Sequence, residues 1–136
     1  MRMDRLRLNF WILIDEARSH CLKETYHHIQ QRVEGLSRKE RLNLAFVQRE
    51  LLEELDTQAL YEVAVKSGRG LSDDGWLAFR LWLISRGSQV FASVIEDPQA
   101  LLDLISSIEN KEKCEFEPFA YVFGTTVYFY DIAEWA

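Results

Sequence analysis

The chain has 136 residues, of which 48% are hydrophobic and 28% charged, and its formal net charge is −6. This composition is typical of a soluble globular protein and excludes intrinsic disorder, because aromatic residues are plentiful while glycine and proline are few. The acidic balance argues against nucleic-acid binding, which requires a local excess of lysine and arginine, and it suits a basic protein partner.

The N-terminal stretch MRMDRLRLNFWILIDEAR combines basic residues with a short apolar run. The run FWILI, residues 10–14, is shorter than the core of a secretory signal and far shorter than a membrane span of about 20 residues. We therefore expect a cytoplasmic protein that does not contact a membrane. Cys21 and Cys114 are far apart and form no CxxC motif, so we expect reduced thiols, while a disulfide between them stays open.

Helical periodicity begins near residue 10. Apolar residues recur at helical spacing in a first stripe, Phe10, Leu13, Ile14 and Ala17, and in a second stripe, Leu22, Tyr26, Ile29 and Val33. Asn9 is the predicted N-cap of the first helix, and Gly35 is predicted to end the second. The second stripe is out of phase with the first by about one residue, or about 100° of helix rotation, which predicts a break between Ser19 and Cys21.

A capping box, Ser37-Arg38-Lys39-Glu40, predicts the start of a third helix. The serine hydroxyl accepts from the backbone N–H of Glu40, and the glutamate carboxylate accepts from the N–H of Ser37. This helix is expected to continue to Leu55 with a broad apolar face. Asp56 or Thr57 then caps a shorter helix, and SGRG, residues 67–70, forms a loop.

The most apolar stretch is LSDDGWLAFRLWLISRG, in which Arg80 is the only charged residue between Gly75 and Ser85. A helix that is apolar around its whole circumference is a buried one. We therefore predict a single, mainly α-helical domain over residues 1–136, a compact multi-helix bundle whose buried central helix lies near 73–86.

Beyond Gly87 a short helix is predicted from Ser88 to Ile95. Asp97 and Pro98 predict the start of another helix, because proline at the first helical position loses no hydrogen bond. The C-terminal segment PFAYVFGTTVYFYDI is rich in aromatic and β-branched residues, which favours a short strand or a hairpin packed on the helices.

Two aspartates stand at the start of the central helix. Asp73 and Asp74 follow Ser72, where their oxygens satisfy free N–H groups and their charge suits the positive end of the helix dipole. The alternative is that one of them points into a pocket as an acceptor or an acid–base group.

Arg80 lies one turn after Trp76 on the same side of the helix. Its guanidinium can lie over the indole, a contact of about 0.5–2 kcal/mol. A buried guanidinium also requires a carboxylate, for which the candidates are Asp15, Glu16 and Glu62. Arg80 is then either part of a structural ion pair or a ligand-binding group.

The stretches FWILIDEAR, residues 10–18, and LSDDGWLAFRLWLISRGSQVFASVIEDPQAL, residues 71–101, resemble the bacterial family catalogued as domain of unknown function 4240 (DUF4240). The resemblance depends on Phe-Trp and Ile-Asp in the first stretch, and on Ser-Asp-Asp-Gly-Trp, Phe-Arg, Trp-Leu-Ile, Gly, Val-Phe and Asp-Pro in the second. It implies a mostly helical fold without an assigned activity. The chain departs from the family pattern at Tyr61 and SGRG, where members resemble a tryptophan-containing helix followed by a Gly-Gly-Cys-like turn. It also departs beyond Cys114, where members look helical.

Motifs for catalysis, phosphate binding and metal binding are lacking in the sequence. His20, His27 and His28 lie near Glu24 in a polar stretch without the HExxH pattern, so we expect a solvated helix face there. We predict no catalytic residue, no metal and no cofactor.

Two functions are consistent with the sequence. The first is a non-catalytic protein-interaction module, one form of which is an acidic immunity or antitoxin-like protein that blocks a basic toxin surface. It predicts an acidic or aromatic surface and a buried, paired Arg80. The second is a small-ligand-binding or enzymatic domain that uses Asp15, Asp73, Asp74 and Arg80 around a cleft edged by Trp76. It predicts that these side chains converge in one water-accessible pocket.

Overall fold

The computed structural model describes residues 2–19, 21–67, 72–106 and 116–123. Within these ranges the chain forms seven α-helices and one 3-10 helix, without a strand. They are α1 (Arg2–Ala17), α2 (Leu22–Glu34), α3 (Arg38–Leu55), α4 (Gln58–Lys66), α5 (Asp73–Ser85), α6 (Ser88–Glu96), α7 (Ala100–Ser106) and the 3-10 helix Glu117–Tyr121. The predicted mainly α-helical class is confirmed. None of the helices in these ranges is both long and apolar enough to cross a membrane.

Helix α5 lies at the centre of the bundle, as predicted. It packs against α3, α6 and the 3-10 helix. Its side chains are buried on nearly every side, and Leu81, Trp82 and Ile84 are completely inaccessible to solvent. The all-round apolar pattern of this stretch therefore reflects burial by neighbours on several sides.

Aromatic side chains form the middle of the core. The ring centroid of Phe10 in α1 lies 6.4 Å from that of Phe119 and 6.1 Å from that of Phe123. Within α5, the rings of Phe79 and Trp82 stack at 5.7 Å. The two Phe10 pairs join α1 to the segment containing the 3-10 helix, and large buried aromatic rings contribute strongly to core stability.

Helix α1 begins earlier than the periodicity predicted. The apolar stripe continues back to Leu6, which packs against the core, and the helix begins at Arg2. Asn9 therefore lies inside α1, and its predicted role as the N-cap is wrong. The basic residues of the first two turns obscured the amphipathic pattern in the sequence.

The predicted break between the first two helices is confirmed, since α1 ends at Ala17 and α2 begins at Leu22. No glycine or proline produces it. Instead, the backbone N–H of Ser19 donates to the hydroxyl oxygen of Thr25 at 2.8 Å, and that side chain is completely buried. A buried side-chain hydroxyl thus satisfies a backbone group that the helix end leaves free. Cys21 is exposed, and Cys114 lies outside the described residues.

The other helix caps follow the sequence closely. Gly35 ends α2, and both hydrogen bonds of the Ser37–Glu40 capping box are present at 3.1 Å. These bonds to Ser37 lower the pKa of the Glu40 carboxyl below its ordinary value. At α4 the hydroxyl of Thr57 accepts from the N–H of Leu60, so Thr57 is the N-cap.

The described part of the C-terminal segment is not a strand. Residues Glu117–Tyr121 form a 3-10 helix, and the prediction of a strand or hairpin is wrong for them. Phe116, Phe119 and Phe123 are all buried, and their spacing of three and four residues is that of one helical face. Residues 124–136, which contain the rest of the predicted hairpin, lie outside the described residues.

Candidate functional site

A cleft opens where the turn between α3 and α4 meets the N-terminus of α5. Its volume is about 390 Å³. The described residues that line it are Asp56, Thr57, Gln58, Tyr61, Asp73 and Trp76. Carboxylates and aromatic rings thus share one concave surface, and of the five predicted binding candidates Asp73 and Trp76 line it.

Helix α5 brings two of these residues into the cleft. The hydroxyl of Ser72 accepts from the N–H of Gly75 at 3.0 Å and so caps the helix. Asp73 and Asp74 occupy the first turn and are exposed, in agreement with a role at the helix end. Only Asp73 of this pair lines the cleft.

Trp76 connects α5 to the end of α3. Its indole N–H donates to Oδ1 of Asp56 at 2.9 Å, and its ring meets that of Tyr61 edge-to-face with 5.3 Å between centroids. Only 8% of Trp76 is exposed to solvent. Burial of an indole requires an acceptor for its N–H, and Asp56 supplies one.

Arg80 lies behind Trp76, in contact with the last turn of α3. Its Nη1 donates to the backbone oxygen of Leu52 at 2.8 Å, and its guanidinium carbon lies 5.2 Å from the centroid of the Trp76 ring. Leu52 is one of the last four residues of α3, whose carbonyls have no partner within the helix. A cation at this end is also favoured by the helix dipole. Arg80 therefore caps α3 as well as stacking on Trp76.

The carboxylate nearest to Arg80 is Asp56, with 3.9 Å between Nη1 and Oδ2. The Arg80 side chain is 12% exposed and that of Asp56 is 59% exposed, so water screens much of this attraction. Burial lowers the pKa of the Arg80 guanidinium from its ordinary value, and Asp56 acts in the opposite direction. The hydrogen bond to the Leu52 carbonyl is the closer and better shielded contact.

The three carboxylates predicted as partners of Arg80 have other partners. Asp15 binds Ser88, Glu16 pairs with Arg32, and Glu62 accepts from the amide of Gln58. The prediction that one of them pairs with Arg80 is wrong, because sequence spacing does not show which helix ends meet. Asp56 was missed because it was considered only as an N-cap of α4, a role that Thr57 fills.

Asp15 lies at a different junction, where α1 meets the start of α6. Its Oδ1 accepts from the backbone N–H of Ser88 at 2.9 Å, and its Oδ2 accepts from the Ser88 hydroxyl at 2.6 Å. Nearby, Arg18 donates to the carbonyl of Arg86 at 2.9 Å. Asp15 therefore caps α6 from another helix and does not line the cleft.

Four residues of the family-like motif meet at this junction. The ring of Trp11 lies 5.2 Å from that of Phe91, and Asp15 contacts the backbone around Gly87. Trp11, Asp15, Gly87 and Phe91 of the pattern thus have a structural explanation: they hold α1 against α6.

The described residues contain no group of three or more histidine, cysteine, aspartate or glutamate side chains arranged to hold a metal ion. Nδ1 of His28 lies 2.9 Å from the carbonyl oxygen of Ala17, so this ring connects α2 to the end of α1. His20 lies outside the described residues.

A search of curated proteins and a search of solved structures each gave no match for this chain. A family model with the description "Protein of unknown function (DUF4240)" matches residues 6–128. This range includes α1 from Leu6 onwards, the cleft, the Asp15 junction and the 3-10 helix. The chain therefore belongs to the DUF4240 family.

Proposed function

We propose that this protein is a non-catalytic protein-interaction module, and that the cleft between Asp56 and Asp73 receives a basic side chain of its partner. The proposal depends on where the positive and negative side chains lie at this site. Arg80 is held against the Leu52 carbonyl behind Trp76, while two carboxylates line the open side. The cleft thus presents acceptors and aromatic surface to an incoming group.

The chemistry of the lining suits a cationic side chain. An arginine or lysine that enters the cleft meets the carboxylates of Asp56 and Asp73, with which charge-assisted hydrogen bonds form. The partly buried ring of Tyr61 offers a cation–π contact in the same volume. The net charge of −6 favours encounter with a basic protein over longer distances.

A non-catalytic role is supported by what the cleft contains. Its described lining includes neither a histidine nor a cysteine, and the hydroxyl of Thr57 is engaged as the N-cap of α4. The side chains of the alternative enzymatic hypothesis do not converge, because Asp15 caps α6 and Arg80 caps α3. An immunity or antitoxin-like protein that covers a basic toxin surface is one specific form of the proposed module.

A titration followed by NMR tests the site directly. The probe is N-acetyl-arginine amide, and its neutral isostere N-acetyl-citrulline amide is the comparison. We expect the arginine compound to shift the indole N–H resonance of Trp76 in a saturable, salt-sensitive manner, and the citrulline compound to shift it much less. Equal shifts with both compounds, or shifts elsewhere only, would contradict the proposal.

The chain offers a matched control for the charge. Asp73→Asn and Asp74→Asn remove the same charge from the same helical turn, but only Asp73 lines the cleft. We expect Asp73→Asn to weaken arginine binding by about 2- to 5-fold, the effect of an exposed ion pair, and Asp74→Asn to weaken it less.

The same two variants identify a protein partner. In a pull-down from native lysate analysed by mass spectrometry, a partner of the cleft is retained by Asp74→Asn and by the unaltered protein and is recovered in a smaller amount with Asp73→Asn. A partner retained equally by all three proteins binds another surface.

A further inference from the structure

We propose that the outer face of α1 binds a second copy of the same chain, with the two α1 helices antiparallel about a two-fold axis. This face is defined by Arg5, Leu8, Ile12 and Asp15, all of which are exposed. Since successive residues are about 100° apart around a helix, these four side chains lie within an arc of about 80°. They form one stripe along the side of α1 opposite its buried face, and at the C-terminal end of the stripe Asp15 adjoins the start of α6.

The middle of the stripe is apolar. Leu8 is 59% exposed and Ile12 is 46% exposed, one turn apart on the same helix. Beside Ile12 lies a groove of about 330 Å³ between α1, the end of α2 and the start of α3, and its lining includes Leu13, Leu36 and Leu44. A helix that packs on Leu8 and Ile12 would also cover part of this groove, which enlarges the apolar area removed from water.

The groove also contains an unsatisfied polar atom. Oδ1 of Asn43 is inaccessible to solvent and has no hydrogen-bond partner among the described residues. A buried carbonyl oxygen without a donor costs free energy, but this oxygen is already closed off from solvent, so a neighbouring chain reaches it only if the Asn43 side chain turns outwards. The stripe itself is more favourable when covered, because Leu8 and Ile12 are then removed from water.

The charges at the two ends of the stripe favour a second copy of this chain as the partner. Arg5 lies towards the N-terminal end of the stripe, while the exposed Asp15, whose carboxylate also accepts from Ser88, lies at the C-terminal end. In an antiparallel pair centred between Leu8 and Ile12, the Arg5 of each chain meets the acidic end of the other. A parallel pair would place like charges together, and a uniformly basic partner would match only one end. The identical face in antiparallel orientation matches both, as a two-fold interface requires.

One helix face and a shallow groove form a small interface, so we expect weak, concentration-dependent dimerisation. Sedimentation velocity of the full chain between about 10 µM and about 1 mM should show a growing dimer fraction. Leu8→Glu and Ile12→Glu should remove it, because each places like charges at the centre of the interface. Leu77→Glu and Ile95→Glu, at exposed apolar residues of α5 and α6, should not.

The orientation is tested by cross-linking. In a background in which Cys21 and Cys114 are serine, a mixture of Leu8→Cys and Ile12→Cys chains should form mixed disulfide dimers faster than Leu8→Cys forms dimers with itself. Arg5→Glu should weaken dimerisation by about 3- to 10-fold at low salt, through two lost exposed ion pairs and the repulsion that replaces them. Far-UV circular dichroism verifies that each variant is folded.

A monomer at every concentration would overturn the proposal. So would a dimer that survives Leu8→Glu, or faster self-linking of Leu8→Cys than mixed linking. These outcomes leave the cleft proposal untouched, because the cleft and the α1 stripe share no described residue.

Discussion

The backbone of Gly87 packs directly against the carboxylate of Asp15, so closely that an added Cβ would lie 2.7 Å from Oδ1. Gly87 has φ +106° and ψ 170°, a conformation that is essentially restricted to glycine. The same carboxylate binds Ser88, the next residue. Because this residue is glycine, the chain can turn sharply between α5 and α6, and Asp15 of α1 can cap the start of α6.

We predict that Gly87→Ala destabilises the protein by at least about 2 kcal/mol, since the backbone conformation alone costs about 1–3 kcal/mol for a residue with a side chain. Urea unfolding followed by circular dichroism measures the change. Gly35→Ala is the matched control, because Gly35 has φ −85° and open space around its Cα. The control should change stability by less than about 1 kcal/mol. Equal effects at the two positions would contradict the packing described for Gly87.

Asp56 is predicted to matter mainly as the acceptor for the Trp76 indole. Asp56→Asn retains a carbonyl oxygen for that hydrogen bond and loses only the weak, water-screened attraction to Arg80, so its effect should remain below about 0.5 kcal/mol. Asp56→Ala removes the acceptor and should cost about 1 kcal/mol. Chemical denaturation gives both values. A loss in Asp56→Asn as large as that in Asp56→Ala would show that the charge, not the hydrogen bond, is important.

Arg80→Met should destabilise the fold by about 1–3 kcal/mol, because the Leu52 carbonyl loses a charged donor and the guanidinium leaves the face of Trp76. Arg80→Lys should lose less, since an ammonium group can still donate to that carbonyl. The free energy of unfolding in urea is the measurement. Arg38→Met at the exposed start of α3 serves as the surface control and should stay within about 0.5 kcal/mol of the unaltered protein. An Arg80→Met protein of unchanged stability would rule out the capping role of Arg80.

Glu50 should make the protein more sensitive to rising pH. Burial raises the pKa of its carboxyl above the ordinary value, an effect that Glu53 and Glu54 reinforce and Arg7 only partly offsets. The folded state therefore binds this proton more tightly than the unfolded chain does, and ionisation reduces stability as the pH rises from the ordinary glutamate pKa through the raised one. Glu50→Gln should be more stable than the unaltered protein at neutral pH. The difference should vanish below the ordinary glutamate pKa, and a difference that grows on acidification would refute this assignment.

Glu40 should affect stability with a pH dependence opposite to that of Glu50. Its pKa is lowered by the backbone and side-chain hydrogen bonds of Ser37, so the carboxylate stabilises the folded state above the ordinary glutamate pKa. That contribution is lost as the pH falls through the lowered pKa. Glu40→Gln should be less stable than the unaltered protein at neutral pH and equal to it in acid. Thermal unfolding over a pH series measures how the stability difference between the two proteins changes with pH. A loss of stability in Glu40→Gln that is the same at every pH would show that the charge of Glu40 does not contribute to the capping box.

The cleft was only partly predictable from the sequence. Asp73 and Trp76 were identified because they lie in one helix, at the start of the most apolar stretch of the chain. Asp56 and Tyr61 were not, although both line the same cleft, because they belong to the α3–α4 turn and α4. Asp15 was placed at the wrong site for the same reason, since its partner Ser88 is 73 residues away.

Local order in the sequence determined the helices, the Ser37–Glu40 capping box, the break before Cys21 and the burial of α5. Each depends on residues within a few turns of one another, where spacing alone fixes which side chains share a face. Only the tertiary structure decided which helix ends meet: Arg80 with the end of α3, Asp15 with the start of α6, and Phe119 with Phe10 in the core. The physical reason is that periodicity specifies which face of a helix is apolar, while packing in three dimensions specifies what that face touches.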